Sequence, residues 1–185
     1  MNKILVYLLL TGIINGYTQS VDQELRAPDG SSYLVGPISK KALLQDPYAS
    51  WFQSGYKAAS ITQEEREKLE VLLPNVQILV FLGTWCGDSK REVPAFLKIL
   101  DASGFPSDQL KIISLDRAKE RYKQSPGGEE WGLNIIRVPT FIFLRNGREM
   151  NRIVEKPKRT LVQDMLTILT DQEYHPHYEM VSGTK

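Results

Sequence analysis

The chain has 185 residues, 42% of them hydrophobic and 24% charged, with 23 Lys+Arg against 22 Asp+Glu. That composition excludes a disordered chain, and the length allows one domain with a sizeable core. The near balance of charge excludes the basic footprint of a nucleic-acid binder.

Residues 1–18 have the three-part layout of a secretory signal peptide. Lys3 precedes an apolar run from Ile4 to Leu10, continued by Ile13 and Ile14, and Gly16 and Thr18 stand before a cut. An uncleaved anchor or a buried strand is the other reading, although the run is short for a bilayer. Loss of Lys3 leaves the mature chain formally neutral. No later segment is apolar enough to cross a membrane, so no span is expected after signal removal. The protein is expected to be exported, either periplasmic or secreted.

Residues 19–38 carry Pro28-Asp29-Gly30 turn chemistry and weak periodicity, which predicts an irregular lead-in with a short strand near Tyr33–Val35. Leu44, Tyr48, Trp51, Phe52 and Tyr56 recur at helical spacing, so an aromatic-rich helix is expected over 41–59, with a break near Pro47. Thr62 followed by Glu65 is a capping box for a second helix, which Pro74 stops. "VQILVFLG" (76–83) is a near-continuous β-favouring run, as expected of a strand covered on both faces. The next helix places Val93, Phe96, Leu97 and Leu100 on one side, with Pro94 inside it.

"LKIISLD" (110–116) predicts another buried strand, and 117–137 a polar helix or loop broken at Gly127-Gly128. "TFIFL" and "EMNRIV" are strands, with Asn146-Gly147 signalling a tight hairpin between them. A last helix over 158–170 has Leu161, Met165, Leu166 and Leu169 on one face, and the basic run "KPKR" (156–159) reads as the solvated first turn of a helix. The tail after Asp171 is expected to be loose. Parallel strands joined by a helical crossover, then an antiparallel hairpin, imply an α/β fold: a mixed central sheet with helices on both faces.

Within "GTWCGDSKREVP" (83–94) stands the chain's single cysteine, Cys86. One thiol cannot form an internal bridge, and free cysteine is often only a small buried hydrophobe. Its position at a strand-to-helix switch argues otherwise. A helix start offers unpaired N–H groups and partial positive charge, which favour a nucleophilic thiolate. Ser89 is expected to donate a hydrogen bond to the sulfur. Lys90 and Arg91 add positive charge against Asp88, and Trp85 is placed to shield the thiol or present a client-binding surface.

"TWCGDS" after an apolar strand, Pro94 in the following helix and "RVPTFIFLRNG" further on resemble the thioredoxin family. The likeness covers about residues 70–172, a compact domain's length. It implies a thioredoxin-like fold preceded by a helical N-terminal extension, 19–69, and followed by the tail, 173–185. It also implies that Val138, Pro139 and Thr140 match the segment whose cis proline faces the thiol, so that Trp85, Gly87, Val138, Pro139 and Thr140 would form the substrate-binding surface around Cys86 and Ser89. Ser89 stands where the family has its second cysteine, and Val80 where thioredoxin has a buried aspartate that takes a proton from that cysteine.

Cys86 can therefore attack a disulfide, but nothing in the motif can expel the mixed disulfide, so release requires an external thiol. Two functions follow. One is monothiol disulfide exchange or isomerisation on client-protein or small-molecule disulfides, without a cofactor. The other is a redox-inactive module that holds clients beside Pro139. His175 and His177 read as surface histidines, so no metal is expected.

Overall fold

The computed structural model describes residues 21–178; the expected signal peptide and residues 179–185 lie outside the described residues. Strands β1 (Gln23–Arg26), β2 (Ser32–Ile38), β3 (Val76–Leu82), β4 (Leu110–Ser114), β5 (Thr140–Arg145) and β6 (Arg148–Val154) form one sheet in the order β1-β2-β4-β3-β5-β6. β3 and β4 are parallel, and the remaining pairs are antiparallel. Helices α1 (Ala49–Ala58), α2 (Gln63–Leu72), α3 (Gly87–Ala102) and α4 (Leu161–Leu169) flank this mixed sheet.

β3 is central because both its faces are apolar. Ile78, Val80 and Leu82 point into the main core, where all four helices contribute side chains, while Phe81 and Leu79 belong to a second cluster. α3 buries Val93, Phe96, Leu97 and Leu100, one turn after another. Phe96 stacks on Phe141 of β5 at 4.1 Å between centroids. Each such side chain contributes about 1.5–3 kcal/mol by leaving water.

The expectation of helices on both faces is corrected. The second cluster, Phe81, Ile113, Leu115, Val138 and Ile142, is covered by Trp85, Leu133 and Ile135 rather than by a helix. The segment over 115–139 makes only a 3-10 turn at Lys119–Arg121. Left-handed backbone at Lys123, Gly128, Gly132 and Asn134 reverses its direction too often for a helix.

Other elements also differ from expectation. The lead-in is an ordered hairpin, whose strand β2 pairs with β4. The helix expected over 41–59 is a 3-10 turn at Ala42–Leu44 followed by α1, so Leu43 rather than Leu44 enters the core. "KPKR" precedes α4. Its Lys158 and Arg159 N–H groups donate to Asp164, and Thr160 caps the helix. The described part of the tail is held: Tyr174 is buried, its hydroxyl donates to Asp164, and its carbonyl accepts from Asn151. The Thr62–Glu65 capping box and the Asn146-Gly147 turn, with positive φ at both residues, form as the sequence indicates.

Candidate functional site

β3 ends at Leu82, and the chain turns so that the Cys86 N–H donates to the Gly83 carbonyl at 2.8 Å. Cys86 is extended, with φ −89° and ψ 130°, and immediately precedes α3. The first N–H groups of that helix, lacking partners in a preceding turn, lie around it. Gly83 is required by this turn: a Cβ there would lie 2.6 Å from the Trp85 ring. Thr84 fixes the other side, its hydroxyl accepting from the Leu34 N–H of β2.

Cys86 is partly exposed, and its S–H is directed at the Val138 carbonyl, 3.4 Å away. The Val138–Pro139 bond is cis. Both side chains are buried, so the segment shows the thiol its backbone rather than its side chains. Thr140 is 1% exposed and its hydroxyl donates to the Arg137 carbonyl; it closes the turn into β5. Gly87 is exposed, with open space where a side chain would be.

Trp85 is locked in place. Its Nε1–H donates to the Leu115 carbonyl at 2.8 Å, and its ring packs on Tyr122 at 5.5 Å between centroids. The ring touches both the second sheet cluster and the β1–β2 hairpin. Half-buried Lys123 lies beside it, its ammonium donating to the Ile136 carbonyl at 2.6 Å and standing 5.1 Å from the Tyr122 ring centre. Burial, then the charge of Arg137, lowers the Lys123 pKa; Cys86 and Glu155 pull it the other way. Lys123 and Cys86 thus bond carbonyls two residues apart, those of Ile136 and Val138.

The expected bond from Ser89 to the sulfur is corrected. Ser89 is 0% exposed, and its hydroxyl accepts from the Gly83 N–H at 3.1 Å. It ties the start of α3 to the end of β3, because its side chain points back across the turn while the sulfur points toward Val138. Arg91 does not supply free charge either, since it pairs with Asp88 and Glu92. Lys90 lines a separate groove with Tyr48, Trp51 and Thr84. Val80 is buried among hydrophobic residues, where a carboxylate would stand in the family pattern.

Lys123, Tyr122 and Asp116 were missed in the sequence, because they reach the site through an irregular loop with no periodicity to reveal their direction. Asp116, 3% exposed, accepts from Tyr33, the Ala118 N–H and Arg121. Burial opposes its ionisation, but the donors outweigh burial and hold its pKa below the usual carboxylate value.

The arrangement offers one partly exposed cysteine, a helix start behind it and a fixed backbone segment beside it. A thioredoxin family model matches residues 44–172. The chain is 28% identical over 113 residues to a thioredoxin H-type from Populus jackii, covering 59% of this chain and 74% of that one. It is 32% identical over 79 residues to a thioredoxin from Malassezia sympodialis, covering 43% and 68% respectively. A thioredoxin H-type from Picea mariana is 24% identical over 106 residues, covering 56% and 77%. No solved structure matches the chain significantly.

Proposed function

This chain belongs to the thioredoxin family, and we propose that within it the protein is an exported monothiol exchanger acting through Cys86. The observation that carries this reading is the position of Cys86: partly exposed, at the start of α3, with its sulfur against the backbone of Val138. Cys86 attacks a client or small-molecule disulfide, and an external thiol releases the adduct, since Cys86 is the only cysteine in the chain. The leader-like residues 1–18 support export to the periplasm or beyond.

The test is adduct formation at neutral pH, followed by mass spectrometry of the intact protein. Wild type is expected to accumulate a mixed disulfide with a small disulfide substrate and to lose it when excess small thiol is added. Cys86→Ala is expected to form no adduct. A wild type that forms none with any disulfide would exclude exchange and leave the client-holding module. Unaided turnover would mean that a resolving group other than a second cysteine exists.

A further inference from the structure

Exchange creates a proton problem at this site. A thiol that leaves a disulfide departs as a thiolate and needs a proton, and the thiol that releases the adduct must lose one. Val80 cannot serve, being an aliphatic side chain within the core. Ser89 faces Gly83, and Asp88 is paired with Arg91. Lys123 bears a proton on the segment that faces the thiol, its ammonium bonded to the Ile136 carbonyl.

We propose that Lys123 is the proton-exchanging partner of Cys86, giving a proton to the leaving thiol and taking one from the resolving thiol. The proposal rests on the exchange reading above. Its geometry comes from two anchored segments. The Lys123 backbone N–H donates to the Asp116 carbonyl at 2.9 Å, and the Asp116 N–H donates to the Gln124 carbonyl at 2.8 Å. The ammonium is anchored on the Ile136 carbonyl, and the thiol on the Val138 carbonyl of the same short segment. The Tyr122 ring packs on Trp85 and stands 5.1 Å from the Lys123 ammonium.

The charged groups facing Lys123 set its acidity. Arg137 and burial favour loss of the proton, whereas the Cys86 thiolate and Glu155 favour its retention. When Cys86 becomes a mixed disulfide, its negative charge disappears. One of the two influences that hold the proton on Lys123 is thereby lost, at the step where the leaving sulfur needs a proton.

The steps balance. The Cys86 thiolate, formed by loss of its S–H proton to water, attacks R–S–S–R′; the Sγ–S bond to R forms, the S–S bond breaks, and its electron pair departs on R′S⁻. The Lys123 ammonium protonates that sulfur, giving R′SH and a neutral amine. A resolving thiol R″SH then gives its proton to the amine and attacks the R sulfur. R–S–S–R″ forms, and the Cys86 thiolate and Lys123 ammonium return. The sum is one disulfide and one thiol exchanged for another pair, with no net oxidation.

The test compares two disulfides that differ in leaving-group basicity. Hydroxyethyl disulfide releases a basic alkyl thiolate that benefits from protonation. An aromatic disulfide such as dithiobis(nitrobenzoate) releases a thiolate that is stable without it. Lys123→Met is expected to slow adduct formation with the alkyl disulfide by about 100-fold, the scale of general acid catalysis, and to affect the aromatic one at least tenfold less. Lys123→Arg, which keeps the charge but does not yield a proton near neutrality, is expected to follow Lys123→Met on the alkyl substrate. Thermal unfolding shows whether both variants are folded; an unfolded Lys123→Met leaves the decision to Lys123→Arg. Equal losses on both substrates, full activity in Lys123→Arg, or no loss in any folded variant would overturn the proposal while exchange stands. A wild type that reacts with neither disulfide would remove the exchange reading itself, and the role of Lys123 with it.

Discussion

Ser89 shows how a side chain can keep its place in a motif while its partner changes. The site that holds a second thiol elsewhere in the family holds a buried hydroxyl bonded to the Gly83 N–H. Ser89→Ala is expected to cost about 1–3 kcal/mol, because it leaves that buried donor without its acceptor; urea unfolding measures the loss. Ser89→Cys restores the i, i+3 spacing of two thiols on a first helical turn, near bridging range. It is expected to form an internal disulfide with Cys86 that dithiothreitol reduces, seen as loss of two free thiols. If both remain free under oxidising conditions, the direction of residue 89 toward Gly83 excludes a bridge.

At the scale of the elements, the helices stand on local signals that can be removed singly. α2 is the least apolar of them, with Leu69 as its buried residue, and its start depends on the reciprocal Thr62–Glu65 bonds. Thr62→Ala is expected to destabilise the protein by about 1 kcal/mol through loss of the cap. Adduct formation at Cys86 should continue unchanged, since α2 lies apart from the thiol. A loss well under this size would show that packing of Leu69 alone holds the helix. α3 differs, because its start is held by the Ser89 hydroxyl and the turn that leaves β3 rather than by a side-chain cap.

For the molecule as a whole, Asp116 couples three parts of the chain. It joins Tyr33 of β2, the end of β4 and the loop that carries Lys123. Its pKa is lowered in the folded state, despite burial, by the bonds it accepts. Its stabilising effect is therefore complete above the ordinary aspartate range and is lost as pH falls below about 4 through the folded value. Asp116→Asn is expected to lower Tm at neutral pH and to flatten the Tm decline in acid. A variant with the same acid slope as wild type would assign that slope to other carboxylates. Arg121 contributes little to this effect, since its exposed side chain is screened by solvent.

Much of the fold was legible locally. The β-favouring run became β3, the i, i+3, i+4, i+7 spacing became α3, and Asn146-Gly147 made the β5–β6 turn. These features follow from short-range backbone preferences and from side-chain periodicity, which a linear sequence carries in full. Cys86 at a strand-to-helix switch was legible for the same reason. The folding-in of the hairpin and the loop that covers the second sheet face were decided by contacts between distant segments, and the direction of Ser89 and the pairing of Arg91 by the geometry of the turn into α3 rather than by residue spacing. Lys123 is the clearest case: a lysine in an aperiodic stretch, brought to the segment that the thiol faces by loop bonds to Asp116 and Ile136. The sequence by itself determined where the nucleophile stands; tertiary structure decided its neighbours, because charge and hydrogen bonding act through space and carry no trace in local spacing.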